Sequence, residues 1–302
     1  MLTLRQLRYL EALGRTLHFG KAARECAVTQ PALSQQIQGL EAHLGLVLVE
    51  RGRNAVRLTP EGEAVAAHAR SILSEIRELE SLSSAKKGLA GRVRIGMIPT
   101  IAPYLLPELL PRFTEHFPQA LLDIRETQTA QLLDEIGDGR LDLIVAALPL
   151  EAPALEVHPL FEDRFLLATS SENPPPANGD LASFIAGQNL LLLEEGHCLR
   201  EQVLRHCELA GIHHGHVYGT SNLSTLLQMV AGGLGVTLVP RLSLWQKTPL
   251  AGLRLSAFGE PEPYRRVALA WRRASPLGRH FHEIGKMILA LQSEHEKIGE
   301  AA

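Results

Sequence analysis

The chain has 302 residues, of which 45% are hydrophobic and 21% charged, and its formal net charge is −3. This length predicts two or three domains, and the composition excludes a disordered chain. No apolar run approaches the roughly 18 residues of a membrane span and no secretion signal opens the chain, so we expect a cytoplasmic protein without a membrane partner.

Charge is distributed unevenly along the chain. Residues 1–60 contain eight basic and four acidic residues, a net charge of +4, which leaves −7 for the remainder. A basic module in front of an acidic body favours a nucleic-acid-binding domain joined to a regulatory domain for a small molecule.

The first sixty residues predict three helices followed by a two-stranded wing. The third helix begins near Pro31 and buries Leu33 and Ile37, while its other face is polar and suits the major groove of DNA. A small helical subdomain with an exposed polar helix is the alternative. The candidate DNA contacts are the polar positions of this helix and two arginines of the wing: Thr29, Gln30, Pro31, Ser34, Gln35, Gln38, Arg51 and Arg53.

A long helix is predicted to start at Thr59-Pro60-Glu61 and to continue towards Gly88. Its apolar side chains recur at alternating spacings of four and three residues, a heptad pattern that needs a partner helix. We expect this helix to form a dimer, with packing against its own domain as the alternative. The residues of the pattern are Val65, Ala69, Ile72, Ile76 and Leu79.

From residue 91 onwards, short apolar strands alternate with helices. This order predicts an α/β domain with mostly parallel strands. Ligands of such sheets bind beyond the carboxyl ends of the strands, where three loops attract attention: 99–100, 127–129 and 194–198.

Two of the three cysteines, Cys198 and Cys207, are nine residues apart in a predicted helix. Nine residues advance a helix by about 13.5 Å and leave the thiols on opposite faces, so a disulfide requires the helix to unwind. Cys198 begins this helix, where the dipole favours a thiolate, and the thiolate is the form of cysteine that attacks peroxide. His197 precedes Cys198 and is a candidate to hydrogen-bond a peroxide oxygen. On spacing alone, two ordinary helix cysteines remain the alternative, and Cys26 is expected to be a buried small side chain.

The N-terminal module resembles the winged helix-turn-helix of the LysR-type transcriptional regulators. The matching segments are Phe19 to Ala23, Val28 to Ile37, Leu40-Glu41, Leu44-Gly45, and Arg51 to Gly62. The resemblance implies that the α/β region is an effector domain of two subdomains, similar to type 2 periplasmic binding proteins.

The resemblance also implies domain boundaries. It predicts a winged helix-turn-helix domain at 1–58, a linker and dimerisation helix with a hinge at 59–90, and a regulatory domain at 91–302. Within the regulatory domain, subdomain I spans about 91–162 and 267–302, and subdomain II about 163–266.

A second set of segments resembles the peroxide-responsive activators within that family: Glu195 to Gln202 with Cys207, Ile98 to Pro107, and Glu126 to Leu133. The resemblance implies a regulator rather than an enzyme, with a reversible Cys198–Cys207 disulfide and no cofactor or metal. It implies a peroxide pocket made by Thr100, Thr129, His197 and Arg265. The implied partners are promoter DNA, hydrogen peroxide, further copies of the chain in a dimer or tetramer, RNA polymerase, and a glutaredoxin- or thioredoxin-like reductant.

The sequence leaves three alternative functions. A LysR-type regulator for a small organic anion would use the same threonines to bind a carboxylate. A thiol peroxidase would use Cys198 and Cys207 as its reactive pair, but the DNA-binding module argues against it. A zinc site of the two cysteines with His206, His213, His214 and His216 is disfavoured because the usual short ligand spacings are absent.

Overall fold

The computed structural model describes residues 1–51, 56–84, 89–176, 181–209, 211, 217–245 and 251–301. The chain divides into two compact units, Met1–Lys86 with Gly137–Arg140, and Lys87–Ile136 with Leu141–Ala302. Each unit has its own hydrophobic core.

The N-terminal unit is a helical module with a small wing. Its elements are α1 (Leu4–Thr16), α2 (Phe19–Glu25), α3 (Gln30–Leu44), β1 (Val49–Arg51), β2 (Val56–Leu58) and α4 (Pro60–Ser84). Strands β1 and β2 pair antiparallel. Leu10 and Leu13 of α1 pack with Leu33 and Ile37 of α3, and all four are fully buried.

Helix α4 begins at Pro60, as predicted, because Thr59 closes its first turn. The Thr59 hydroxyl accepts a hydrogen bond from the N–H of Gly62 at 2.9 Å and donates one to the carbonyl of Val47 at 2.7 Å. Proline suits this first helical position because its missing N–H has no partner there. The start of α4 is therefore anchored to the segment that leads into the wing.

The second unit alternates strands and helices. Its elements are β3 (Gly91–Met97), α5 (Ala102–His116), β4 (Ala120–Glu126), α6 (Thr129–Gly137), β5 (Leu143–Ala147), β6 (Leu155–Ser170), α7 (Leu181–Ala186), β7 (Leu190–Leu193), α8 (Cys198–Leu209), β8 (Val217–Thr220), α9 (Leu223–Ala231), β9 (Thr237–Pro240), a 3-10 helix (Arg241–Trp245), β10 (Leu253–Ala257), β11 (Tyr264–Arg272) and α10 (Gly278–Ala301).

The main sheet is mixed, with strand order β10-β6-β11-β5-β3-β4 and with β9 also paired to β6. Strand β3 is parallel to β4 and β5, whereas β11 is antiparallel to both β5 and β6. The prediction of mostly parallel strands is therefore wrong for the centre of this sheet. The reason is that β6 leads the chain out of the first group of strands and β11 brings it back in the opposite direction.

Strand β6 changes its partners along its length. Up to Arg164 it pairs with β11, and from Phe165 onwards it pairs with β9 and β10. Asp163 and Arg265 lie directly opposite each other at this change of partners. The two strands that connect the halves of the domain thus bring one acidic and one basic side chain together.

We expect Phe113→Ala to lower the free energy of unfolding of the second unit by about 3–5 kcal/mol, because this side chain of α5 is 1% exposed in the core. Leu110→Ala is the matched control on the same helix, since Leu110 is 39% exposed and its truncation should cost less than about 1 kcal/mol. Both tryptophans, Trp245 and Trp271, belong to this unit, so urea unfolding of the full chain followed by tryptophan fluorescence reports on it. Equal losses in the two variants would contradict the packing described for α5.

Candidate functional site

Three helix starts meet at one end of the second unit. Thr100 follows β3, Thr129 begins α6 after β4, and Cys198 begins α8 after β7. The three loops singled out from the sequence are therefore brought together. Thr100, Thr129, His197 and Cys198 line a single cavity, along with Ile98, Pro99, Gln128, Gly196 and Leu199.

The cavity is very small. Its volume, taken as the space open to the centre of a water molecule, is about 10 Å³. This is about the space that one water molecule needs. The site therefore suits a ligand of one or two heavy atoms beside the Cys198 thiol.

Arg265 does not line the cavity but fixes its wall from behind. The Arg265 guanidinium donates hydrogen bonds to the Thr100 hydroxyl at 2.7 Å through Nη1 and to the Thr100 carbonyl at 3.0 Å through Nη2. Its Nε donates to Oδ2 of Asp163 at 3.0 Å. The other oxygen of Asp163 accepts a hydrogen bond from the backbone N–H of Leu242 at 2.9 Å. Thr100 thus binds the arginine of this buried ion pair, and Leu242 binds the aspartate.

The ionisation of Cys198 depends on opposing effects. Burial raises the pKa of the Cys198 thiol above its ordinary value, and Glu201 adds to this rise. Arg265, Thr129 and the backbone N–H of Leu199 favour the thiolate and oppose the rise in pKa. The helix start alone predicts a lowered pKa, but burial outweighs it, and the thiol is the resting form near neutral pH.

Two polar groups in the cavity wall have hydrogen-bonding capacity to offer a ligand. The Thr129 hydroxyl faces the Cys198 thiol and stabilises its thiolate, yet Oγ1 is buried without a hydrogen bond of standard geometry. His197 is buried, and burial lowers its pKa below the ordinary value, although Glu194 opposes this effect. His197 is therefore a neutral imidazole at neutral pH, with one ring nitrogen to donate and one to accept.

Cys207 lies apart from this cavity. It is fully buried in the hydrophobic core, on the same face of α8 as Leu199 and Val203, and burial raises its pKa. Helix α8 is continuous from Cys198 to Leu209, so both thiols are free and lie nine residues apart on one helix. At about 1.5 Å per residue, this spacing is much longer than a disulfide allows.

Four residues of this region were not among the predicted site residues, although Gln128 and Gly196 lie in two of the predicted loops. Gln128 and Gly196 line the cavity, and Asp163 binds Arg265. Gln202, one turn after Cys198, donates a hydrogen bond from Nε2 to the carbonyl of Leu148 at 3.4 Å, while its Oε1 is buried without a partner. The sequence does contain a signal for Asp163: three consecutive charged residues lie between Phe161 and Phe165 in a predicted apolar region.

The candidate DNA contacts of α3 share one surface. Leu33 and Ile37 are buried, whereas the polar positions point away from the core. Those positions are exposed except for the partly buried Ser34: Thr29, Gln30, Pro31, Gln35 and Gln38. Arg51 ends strand β1, and Arg53 lies outside the described residues.

The heptad residues of α4 divide into two groups. Ala69 is buried against Leu7 of α1, and Val65 packs against the core of the N-terminal unit. In contrast, Ile72 is 43% and Leu79 is 66% exposed, with Ile76 partly buried. The first part of the pattern thus packs within the N-terminal unit, and Ile72 and Leu79 leave an exposed apolar surface.

Metal binding and membrane insertion find no support in the described part of the chain. It contains no group of three or more His, Cys, Asp or Glu side chains that could hold a metal ion. Three residues of the alternative zinc site lie outside the described residues: His213, His214 and His216. None of the described helices is long and apolar enough to cross a membrane.

Comparisons with known proteins cover nearly the whole chain. Residues 4–63 match the family model "Bacterial regulatory helix-turn-helix protein, lysR family", and residues 86–291 match "LysR substrate binding domain". A "Probable hydrogen peroxide-inducible genes activator" of Streptomyces viridosporus is 41% identical over 288 residues, which are 93% of this chain and 92% of the relative.

Solved structures agree with these matches. A full-length OxyR variant of Pseudomonas aeruginosa has a TM-score of 0.81 at 36% identity and covers 95% of both chains. An OxyR mutant of Corynebacterium glutamicum with H2O2 bound has a TM-score of 0.67 at 34% identity, covering 97% of this chain and 93% of the other. The predicted fold class, a winged helix-turn-helix and linker helix in front of an α/β domain like the periplasmic binding proteins, is confirmed.

We expect Gly196→Ala to slow the reaction of Cys198 with hydrogen peroxide by about tenfold or more, because the added methyl group displaces Gln128 in the cavity wall and small displacements within a reaction site are costly. A Cβ at position 196 would lie 2.5 Å from Oε1 of Gln128 across the cavity, and the φ of +89° disfavours a side chain. Gly233→Ala is the control, since its φ is +79° and nothing lies within 4 Å of the added Cβ. The rate is measured as loss of free thiol at Cys198, and an equal effect of both substitutions would attribute the loss to backbone strain alone.

The rate at which an alkylating reagent modifies Cys198 is expected to rise about tenfold per pH unit around neutrality. The sign follows from the raised pKa: below it the thiol predominates, and each unit of pH multiplies the reactive thiolate until the pKa is passed. Mass spectrometry of the peptide that contains Cys198 measures the rate. A rate that stays flat from pH 6 to 8 would mean that the thiolate is already the resting form.

Proposed function

The chain belongs to the LysR family of bacterial DNA-binding regulators, and we propose that it senses hydrogen peroxide through the thiol of Cys198. It is a transcription regulator rather than an enzyme. The observation that carries the proposal is the cavity, which combines a cysteine, two threonines and a neutral histidine in the space of one water-sized molecule. A relative named as a probable activator of hydrogen peroxide-inducible genes and an OxyR structure with H2O2 bound support it.

The proposed chemistry begins with the Cys198 thiolate. Its sulfur attacks one oxygen of hydrogen peroxide, the O–O bond breaks, and Cys198 becomes a sulfenic acid while the departing hydroxide takes up the proton released by the thiol. The Cys207 thiol then attacks this sulfur and expels a second water molecule. One peroxide is thus reduced to two waters while two thiols are oxidised to a disulfide.

Disulfide formation is coupled to a change of shape. Because α8 keeps the two cysteines apart, the second step requires α8 to unwind and Cys207 to leave the core together with Val203. The lost packing opposes oxidation, and the disulfide holds the rearranged segment. The local refolding is the two-state element that a redox switch needs.

Further parts of the proposal concern domains and partners. We assign DNA binding to 1–58, dimerisation to 59–90 with Ile72, Ile76 and Leu79, and sensing to 91–302, with promoter DNA in the cytoplasm as the target. Two copies of the α3 surface would contact two half-sites of the promoter. Copies of the chain assemble into a dimer or a tetramer. RNA polymerase responds to the DNA-bound form, and a glutaredoxin- or thioredoxin-like reductant restores the thiols.

An organic anion is the weaker candidate ligand. A carboxylate with its carbon skeleton needs a much larger space than the roughly one water molecule that the cavity holds. The Thr100 hydroxyl, one of the groups that would bind a carboxylate, already accepts a hydrogen bond from Arg265. The size of the cavity therefore favours peroxide.

About one equivalent of peroxide is expected to link Cys198 to Cys207 in the reduced chain. Trypsin cleaves after Arg200 and Arg205, so the two cysteines fall on separate peptides, 165–200 and 206–241. After free thiols are blocked, mass spectrometry should find these peptides joined, and a thiol reductant should separate them. Unmodified thiols at this dose would remove the support for peroxide sensing.

The same treatment is expected to change the DNase footprint of the protein on its promoter DNA. Cys198→Ser should abolish both the disulfide and the footprint change, while Cys26→Ser, the matched control in the other unit, should leave both intact. A footprint that still responds to peroxide in Cys198→Ser would refute the role of Cys198.

A further inference from the structure

Asp163 and Arg265 form an ion pair that is almost completely removed from solvent. The side chain of Arg265 is 0% and that of Asp163 is 2% exposed. Next to them on the same two strands, Glu162 and Arg266 form a second pair at 3.3 Å whose side chains are about half exposed. Water screens the exposed pair, but charges in the buried pair act strongly on their neighbours.

The buried pair is linked to the cavity of Cys198 through Arg265, which binds Thr100 in the cavity wall. The guanidinium is always charged, and it favours the Cys198 thiolate. It is also bound to Asp163. Burial raises the pKa of the Asp163 carboxyl above its ordinary value, while Arg265 and the backbone N–H of Leu242 favour the carboxylate and oppose this rise. One cation is therefore shared between the carboxylate of Asp163 and an anion that exists only when Cys198 ionises.

Counting charges gives the direction of the effect. With Asp163 ionised, the cluster of Asp163, Arg265 and Cys198 is neutral when Cys198 is a thiol and carries one negative charge when it is a thiolate. Without the charge of Asp163, the cluster is positive as the thiol and neutral as the thiolate. A buried cluster favours the state with the smaller net charge, so Asp163 holds Cys198 towards the thiol.

We propose that Asp163 is a positioning residue that restrains the reactivity of Cys198 by holding Arg265 against Thr100 and neutralising its charge. The proposal deepens the proposed function, since it takes Cys198 as the reacting thiol. Asp163 touches neither the cavity nor the thiol, and it acts through Arg265. It sets how much of the thiolate is present before any peroxide arrives.

The other charged and titratable groups around the pair do not reverse this count. Tyr104 of α5 lies near Arg265, and burial raises its pKa, so it stays neutral. Burial lowers the pKa of His197, which is also neutral. Glu201 of α8 disfavours the thiolate in every variant alike.

The test uses the full chain with Cys26→Ser and Cys207→Ala, which leaves Cys198 as the single thiol. Its thiolate is titrated by ultraviolet absorbance and by the pH dependence of iodoacetamide alkylation. Asp163→Asn preserves the shape of the side chain and removes its charge. We expect its alkylation rate at pH 7 to rise about tenfold and the whole pH profile to move to lower pH.

Three variants separate this role from a merely structural one. Glu162→Gln removes the neighbouring exposed carboxylate and should leave the profile unchanged, while Asp163→Glu should restore it towards that of the parent. In an Arg265→Gln background, Asp163→Asn should have no further effect, because its action passes through Arg265. This double variant holds no buried ionic pair, so it tests the proposal even where Asp163→Asn alone does not fold.

Two results would overturn the proposal. A profile that moves to higher pH in Asp163→Asn would mean that Arg265 reaches Cys198 only when the carboxylate anchors it. An effect of Asp163→Asn that persists without Arg265 would mean that Asp163 acts by another route. These titrations need neither peroxide nor DNA. A result against the role of Asp163 would therefore not contradict peroxide sensing, and a result against peroxide sensing would not contradict the role of Asp163.

Discussion

Arg265 joins the parts of the regulatory unit that must stay in register for the cavity to exist. It extends from the strand that returns the chain to the first half of the domain, and it binds the outgoing strand through Asp163 and the loop after β3 through Thr100. The cavity wall is therefore built on the crossing of two strands. Because neither side chain reaches water, each would leave the other as an uncompensated buried charge if it moved.

The packing of α8 and a disulfide between Cys198 and Cys207 exclude each other. A single helix, packed through Leu199, Val203 and Cys207, holds the thiols apart, and this packing favours the reduced state. A disulfide cannot form within that helix, so its free energy must offset the loss of the buried face. The same burial that stabilises the helix also raises the pKa of both thiols and slows their chemistry. In the proposed switch, the stability of α8 and the sensitivity to peroxide are thus opposed.

Much of the site could be predicted because its residues follow strands or begin helices. Thr100, Thr129 and Cys198 come together through the general rule that strand ends carry the ligand site, and the start of α4 at Pro60 follows from local chemistry. The sheet was predicted less well, since the direction of β11 depends on where the chain returns. Strand alternation places Asp163 on the same face as Phe161 and Phe165, which indicates that Asp163 is buried. No local pattern identifies its partner Arg265, because that residue lies 102 positions later in the chain.

If Cys198 reacts with peroxide as proposed, the small volume of the cavity favours small oxidants. Hydrogen peroxide is little larger than water, whereas an organic hydroperoxide carries an alkyl or acyl group on one oxygen. Such a group would have to displace Gln128, Leu199 or the backbone at Gly196, each of which lines the cavity. Close packing makes that displacement costly. For the proposed sensing of peroxide, discrimination between oxidants would thus arise from steric exclusion by the cavity walls, independent of the reactivity of the sulfur itself.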